Sequence, residues 1–266
     1  MSEAQPQSVG TYLYCVAHSQ PFQGNGTGFQ ATGIDGRPVR LIRQGDLVAV
    51  VSDSLADQYD ITRDNVSAHE GVIEAVMKQS DVLPVSFGTV ASSDEDVRDR
   101  LLRQESDRLH QQLEQVKNQI ELGVKVLWEQ DPLFAQIIAE DSTIQELRDQ
   151  IVGTTPEQTY DIRVQLGELV NAAIERKREQ ESTAILNALS PLAVDTRVND
   201  IVTDMMILNA SFLVDRNQTQ AFESKVNELQ RSSQGRLMFQ FAGPLPPYNF
   251  VNIAMHWEEP SGAITQ

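Results

Sequence analysis

Three prolines, Pro244, Pro246 and Pro247, follow directly on a strand-like run and restrict this chain more than any other stretch. The run Arg236-Leu237-Met238-Phe239-Gln240-Phe241 alternates like a strand buried on one face. Proline fixes φ and removes the backbone donor, so ladder pairing must end here or pass to a sheet edge. Gly243-Pro244-Leu245-Pro246-Pro247-Tyr248-Asn249-Phe250 is therefore stiff and extended, with two aromatic rings just beyond the prolines. Such a segment either closes a core or presents a recognition surface. Read as a strand exit, it closes the second of two domains, and packing comes before recognition for its side chains.

The order of elements leading to it is mixed. Thr11–Ala17 is rich in β-formers and predicts a first strand, with Cys15 as a small buried hydrophobe rather than a nucleophile. Gly24-Asn25-Gly26-Thr27-Gly28 is a loop, not a phosphate cradle: Gly33 breaks the chain again and no Gly-Lys-Ser/Thr follows. Arg37–Arg43 and Asp46–Ser52 form a hairpin about Gln44-Gly45-Asp46, and Leu47–Val51 suits a central strand. From Asn65 to Ser80 the period turns helical, with Val66, His69, Ile73, Val76 and Met77 on one face. His69 is a core or interface group there. A zinc helix motif would need histidine at position 73, which is isoleucine.

Asp81–Thr89 predicts a short strand, placed at an edge or strand start by Pro84. Ser92 with Glu95 predicts a capping box for a helix running to about Ile120, roughly 40 Å long at about 1.5 Å per residue. Its buried face holds Val97, Leu101, Leu109, Leu113, Val116 and Ile120. A strand over Gly123–Trp128, a helix over Leu133–Ile151 and a long helix over Tyr160–Leu189 follow. Arg176-Lys177-Arg178, flanked by Glu175 and Glu179, reads as an exposed mixed-charge face. Strands over Leu192–Val198 and Met205–Val214, a short helix capped by Asn217 and the strand Arg236–Phe241 complete the order.

The fold class is therefore α+β in two domains. Residues 1–120 form an N-terminal α/β domain, its topology not assigned from sequence, ending in a long helix. Residues 121–251 read as a ferredoxin-like split βαβ domain with an extra helix, and 252–266 as a C-terminal tail.

Composition narrows the function. Among 266 residues, 21 basic stand against 38 acidic, a formal charge of −17. Such a field repels nucleic acid and anionic membrane. The single cysteine excludes a disulfide framework and a cysteine-rich metal site. Met1–Gly10 lacks the apolar core of a signal peptide, and no apolar run approaches the roughly 18 residues of a membrane span. A soluble intracellular protein is expected. The histidines, His18, His69, His110 and His256, have no partners at ligand spacing, and Asp195, Asp200, Asp204 and Asp215 read as strand ends and caps. No catalytic, cofactor or metal constellation is expected.

One resemblance runs through these segments. Tyr12-Leu13-Tyr14, Asp46–Ser52, His69 with Leu83-Pro84-Val85-Ser86-Phe87-Gly88-Thr89-Val90, Leu208–Val214 and Gly243–Val251 follow the order and spacing of the gas vesicle protein GvpF/GvpL family. The chain resembles that family from about residue 11 to 251. It departs where members commonly carry arginine, here Ser86, and tryptophan, here Leu245. The resemblance implies a cytoplasmic, vesicle-associated accessory protein of gas vesicle formation, not an enzyme. Its implied partners are the small hydrophobic shell protein and other accessory proteins. Leu245, Tyr248, Phe250 and Phe87 are the expected partner contacts. A ligand-sensing module on a ferredoxin-like domain is the alternative, on fold analogy alone.

Overall fold

A computed structural model describes residues 10–22, 30–251 and 253. The glycine loop at 24–28 and, apart from Ile253, the expected tail lie outside them. The described chain is mixed α/β, with two sheets and helices, in two compact units.

The first unit runs to Glu121 and takes in the segment from Pro244. Its strands are β1 (Gly10–His18), β2 (Val39–Gln44), β3 (Leu47–Ser54), β4 (Val82–Pro84) and β5 (Val90–Ala91). They pair antiparallel in the order β2-β3-β1-β4, with β5 also on β1. The hairpin forms as its sequence predicts: Gln44 faces Leu47 across a two-residue turn in which Gly45 takes φ +60°. Tyr12 to Ala17 of β1 are all fully buried, because β1 lies inside the sheet and both of its faces are covered. Burial pushes the Cys15 thiol pKa well above its ordinary value, in keeping with an inert core residue.

Helix α1 (Arg63–Met77) opens on Thr62, whose hydroxyl accepts from the Asn65 N–H, and buries His69, Val72, Ile73, Val76 and Met77. The long helix expected next is interrupted. Ser93, not Ser92, caps a short α2 (Asp94–Asp96), which widens into a π-helical stretch at Val97–Arg103. Helix α3 follows (Ser106–Gln115), and Asn118 turns the chain at φ +57°. The consecutive Leu101 and Leu102 of this stretch both enter the core, as adjacent positions of an apolar stripe can. The helix ends at Gln115 rather than near Ile120, which belongs to the following strand, yet the expected inward residues Val97, Leu101, Leu109, Leu113, Val116 and Ile120 are all buried.

The second unit runs from Leu122 to Gly243. It contains most of β6 (Gln119–Trp128), then α4 (Gln130–Glu140), α5 (Ser142–Ile151), α6 (Tyr160–Leu189), β7 (Asp195–Val198), β8 (Met206–Asp215), α7 (Thr219–Ser232) and most of β9 (Leu237–Leu245). The sheet order is β7-β8-β6-β9, with β7 and β8 antiparallel. The single helix expected over 133–151 is split at Asp141, whose carboxylate accepts from the N–H groups of Thr143 and Ile144 and so caps α5. Asp215, not Asn217, accepts the capping bond ahead of α7.

Two surface readings are corrected here. Lys177 and Arg178 are not an exposed face: their side chains are 12% and 16% accessible. Lys177 pairs with Glu140 at 2.7 Å, and the Arg178 guanidinium lies 5.6 Å from the Trp128 ring centre while donating to the Met206 and Asp204 carbonyls. Glu181 of the same helix accepts from the Trp128 indole N–H at 3.1 Å and from Arg236 at 2.6 Å, clasping α6 to the sheet. Strand β9 does not bury one face. Only Leu237 is buried, while Met238 and Phe241 are exposed, as an edge strand permits. That edge position is also why β9 continues through Pro244.

Candidate functional site

The Pro-rich segment packs with the first unit, although its sequence reads as the close of the second domain. Pro246 and Pro247 are buried, and the chain turns tightly as Tyr248 N–H donates to the Pro246 carbonyl and Phe250 N–H to the Pro247 carbonyl. Asn249 is held at both its backbone and its side-chain N–H by the Glu121 carboxylate, at 2.9 and 2.6 Å. Glu121 is only 3% exposed, so a buried anion anchors this turn through charge-assisted bonds. Beyond the turn, Val251 and Ile253 enter the core that contains Leu83, Val85, Leu101 and Leu113, and Ile253 bridges Val85 in parallel.

Val85 lies within the family-like Leu83–Val90 motif, and the turn that follows it is built around Tyr12 and His69. The Val85 carbonyl can only accept, so Nε2–H of His69 donates to it at 3.2 Å. Nδ1 is then the acceptor for the Tyr12 hydroxyl at 3.0 Å, and that hydroxyl accepts from the Gly88 N–H at 2.9 Å. Gly88 takes φ +83°, a conformation side-chain-bearing residues rarely adopt. Burial lowers the His69 pKa to about 4, against the opposing pull of the Val85 carbonyl. Burial likewise raises the Tyr12 pKa far above its usual range. The neutral pair is a structural clasp, with no unused proton to pass on.

The four residues read from sequence as partner contacts occupy different settings. Phe87 is half-buried, edge-on to His69 at 5.6 Å and to Tyr12 at 6.5 Å. Tyr248 is half-buried with its hydroxyl shielded from solvent. That oxygen has no hydrogen-bond partner among the described residues, and burial, followed by Glu70 and Glu74 of α1, raises its pKa. Leu245 and Phe250 are each half-exposed.

Two features escaped the sequence. In the second unit, Phe134, Val170, Ile174 and Met205 line a groove of about 460 Å³ with Ile201 and Val202, and Glu175, Arg178 and Asp204 add charge. Val194, Val198 and Val202, on β7 and its flanks, are 63%, 61% and 68% exposed, and Val202 also lines the groove. These valines come from β7 and its flanks, too short for periodicity to give their direction. In the first unit, His18 and His110, which looked scattered, converge with Asp46. Residues this far apart in sequence carry no spacing signal.

The family model of gas vesicle synthesis protein GvpL/GvpF matches residues 10–252, almost the whole chain. The chain belongs to the GvpL/GvpF family. Among its relatives, gas vesicle protein F of Streptomyces sp. (strain CB03234) is 30% identical, covering 91% of this chain and all of the relative. Gas vesicle protein L of the same strain is 31% identical over 91% of this chain and 93% of its own length. The crystal structure of GvpF from Anabaena sp. PCC7120 shares the fold, with a TM-score of 0.79 at 24% identity over 94% of this chain and all of that one. Within this family frame, the Tyr12–His69 clasp joins two of the segments that carried the resemblance, and the Glu121–Asn249 anchor holds a third.

Proposed function

We propose that this GvpL/GvpF-family chain is an accessory assembly protein of gas vesicles that binds the small hydrophobic shell protein. On this reading it works in the cytoplasm, against the growing vesicle, by binding rather than catalysis. The observation that carries the reading is the exposure of Val194, Val198 and Val202 on β7 and its flanks, with Val202 also lining the groove of the second unit. Exposed apolar side chains on and beside an edge strand offer a docking surface for an extended or helical apolar segment. The strongly acidic remainder of the chain keeps such a complex dispersed. No described helix is long and apolar enough to cross a membrane.

The second unit is read here as ferredoxin-like, a view supported by its strand order β7-β8-β6-β9 with three helices inserted after β6. Leu245, Tyr248, Phe250 and Phe87 are proposed to act at a second contact, with Tyr248 and Phe87 chiefly shaping it and Leu245 and Phe250 presented by it.

Co-expression of the chain with shell protein tests the proposal. Co-purification of the two, and loss of normal vesicles on deletion of the chain, are expected. Absence of association together with normal vesicles after deletion would remove it. A ligand-sensing role predicts instead a thermal shift with a small metabolite, since whatever binds the native state stabilises it.

A further inference from the structure

We propose that His18, Asp46 and His110 form a binding site for a zinc-type divalent cation at one end of the first unit's sheet. His18 closes β1, Asp46 sits in the β2–β3 turn, and His110 lies on α3, so three separate elements deliver the three side chains. One ligand atom from each lies within 4.8 Å of the other two. Tetrahedral zinc at about 2.0–2.1 Å from nitrogen or oxygen needs donors about 3.4 Å apart. All three side chains are at least partly exposed, so a small rotation closes the set.

The surroundings favour ligation over a simple ion pair. The His110 Nδ1–H donates to the Ser106 carbonyl at 2.7 Å, which fixes the ring and turns Nε2 towards the cluster. A carbonyl behind the distal nitrogen is the usual support of a metal-bound histidine. Asp46 is fixed in place by its backbone, whose carbonyl accepts from Ser19 N–H at 2.7 Å. Without metal, Nε2–H of His110 bridges to both Asp46 carboxylate oxygens at 2.9 Å. A cation takes the place of that proton, which leaves to solvent as the bond from Nε2 to the metal forms. Two imidazoles and one carboxylate select zinc, cobalt or nickel over magnesium or calcium, which demand oxygen. This site is independent of the shell-protein reading.

The test is calorimetric titration of the untagged, metal-stripped full chain with zinc near neutral pH, with magnesium as control. Cobalt substitution adds a visible-absorption readout of coordination. One equivalent of zinc should bind with a rise in melting temperature and with proton release. Each of His18→Ala, His110→Ala and Asp46→Asn should weaken uptake at least tenfold, with unchanged circular dichroism. Cobalt should give intense absorption in wild type and not in His110→Ala. No saturable uptake, or uptake that the three variants leave unchanged, would overturn the site, the second result placing the metal on other residues.

Discussion

The Tyr12 hydroxyl donates to Nδ1 of His69 at 3.0 Å, and the opposite nitrogen of the same ring donates to the Val85 carbonyl at 3.2 Å. Strand β1, helix α1 and the turn after β4 therefore meet at one neutral imidazole. Removing the hydroxyl leaves a buried acceptor at Nδ1 and a donor at Gly88 N–H without their partner. Tyr12→Phe should cost about 1–3 kcal/mol, read from the denaturant midpoint. An unchanged midpoint would mean that water replaces both bonds.

The same imidazole makes stability depend on pH. Its folded pKa of about 4 lies below the ordinary histidine value of 6.5. The unfolded chain thus binds the proton more readily. The contribution of His69 is fully present above pH 6.5 and is lost as pH falls towards 4. Its full size is about 3 kcal/mol. Denaturation at pH 7 and pH 5 should show a fall in stability that His69→Gln reduces. A fall of equal size in the variant would assign it to carboxylates instead.

Glu121 and Asn249 are 128 residues apart in sequence and joined by two bonds. Asn249→Ala takes one of those bonds from a buried carboxylate and should cost about 2–3 kcal/mol. Adding Glu121→Gln should cost less than the sum of the two single changes, because the pair shares one interaction. Strict additivity in that cycle would show that the anchor is not energetically coupled.

Glu181 serves both the Trp128 indole and Arg236. Glu181→Ala should destabilise the second unit by about 1–3 kcal/mol and shift the Trp128 fluorescence as its N–H loses its acceptor. Trp257 lies outside the described residues, so the comparison is made in a Trp257→Phe background.

Tyr248→Ala with Phe250→Ala separates two roles for the Pro-rich turn. Loss of cooperative unfolding means that the rings close the core. Retained folding with weakened shell-protein binding means that they present a surface. Retention of both would remove these residues from either role.

Much of the buried face was legible in sequence. The six residues expected to point inward after Ser93 are buried, even though the backbone there is α, then π, then α, with Val116 in the closing turn and Ile120 already in β6. Periodicity reports which residues avoid water, not which hydrogen-bond ladder carries them. The hairpin was legible because Gly45 has one sterically easy role there. What escaped was non-local. Arg178 looks solvated from its neighbours Glu175 and Glu179, yet the Trp128 ring and two distant carbonyls claim it. The Pro-rich turn could not be assigned to a unit by sequence order, because Glu121 and the core around Val85 recruit it over long separations.

The central claim is that the chain binds shell protein through the exposed valines of its second unit. It is tested most directly by co-purification of shell protein with wild type and with Val198→Glu/Val202→Glu. Both residues are exposed, so the variant should fold as wild type does. The account predicts that wild type retains shell protein and that the folded variant loses at least tenfold of it. Equal retention by the two, or none by wild type, would contradict it.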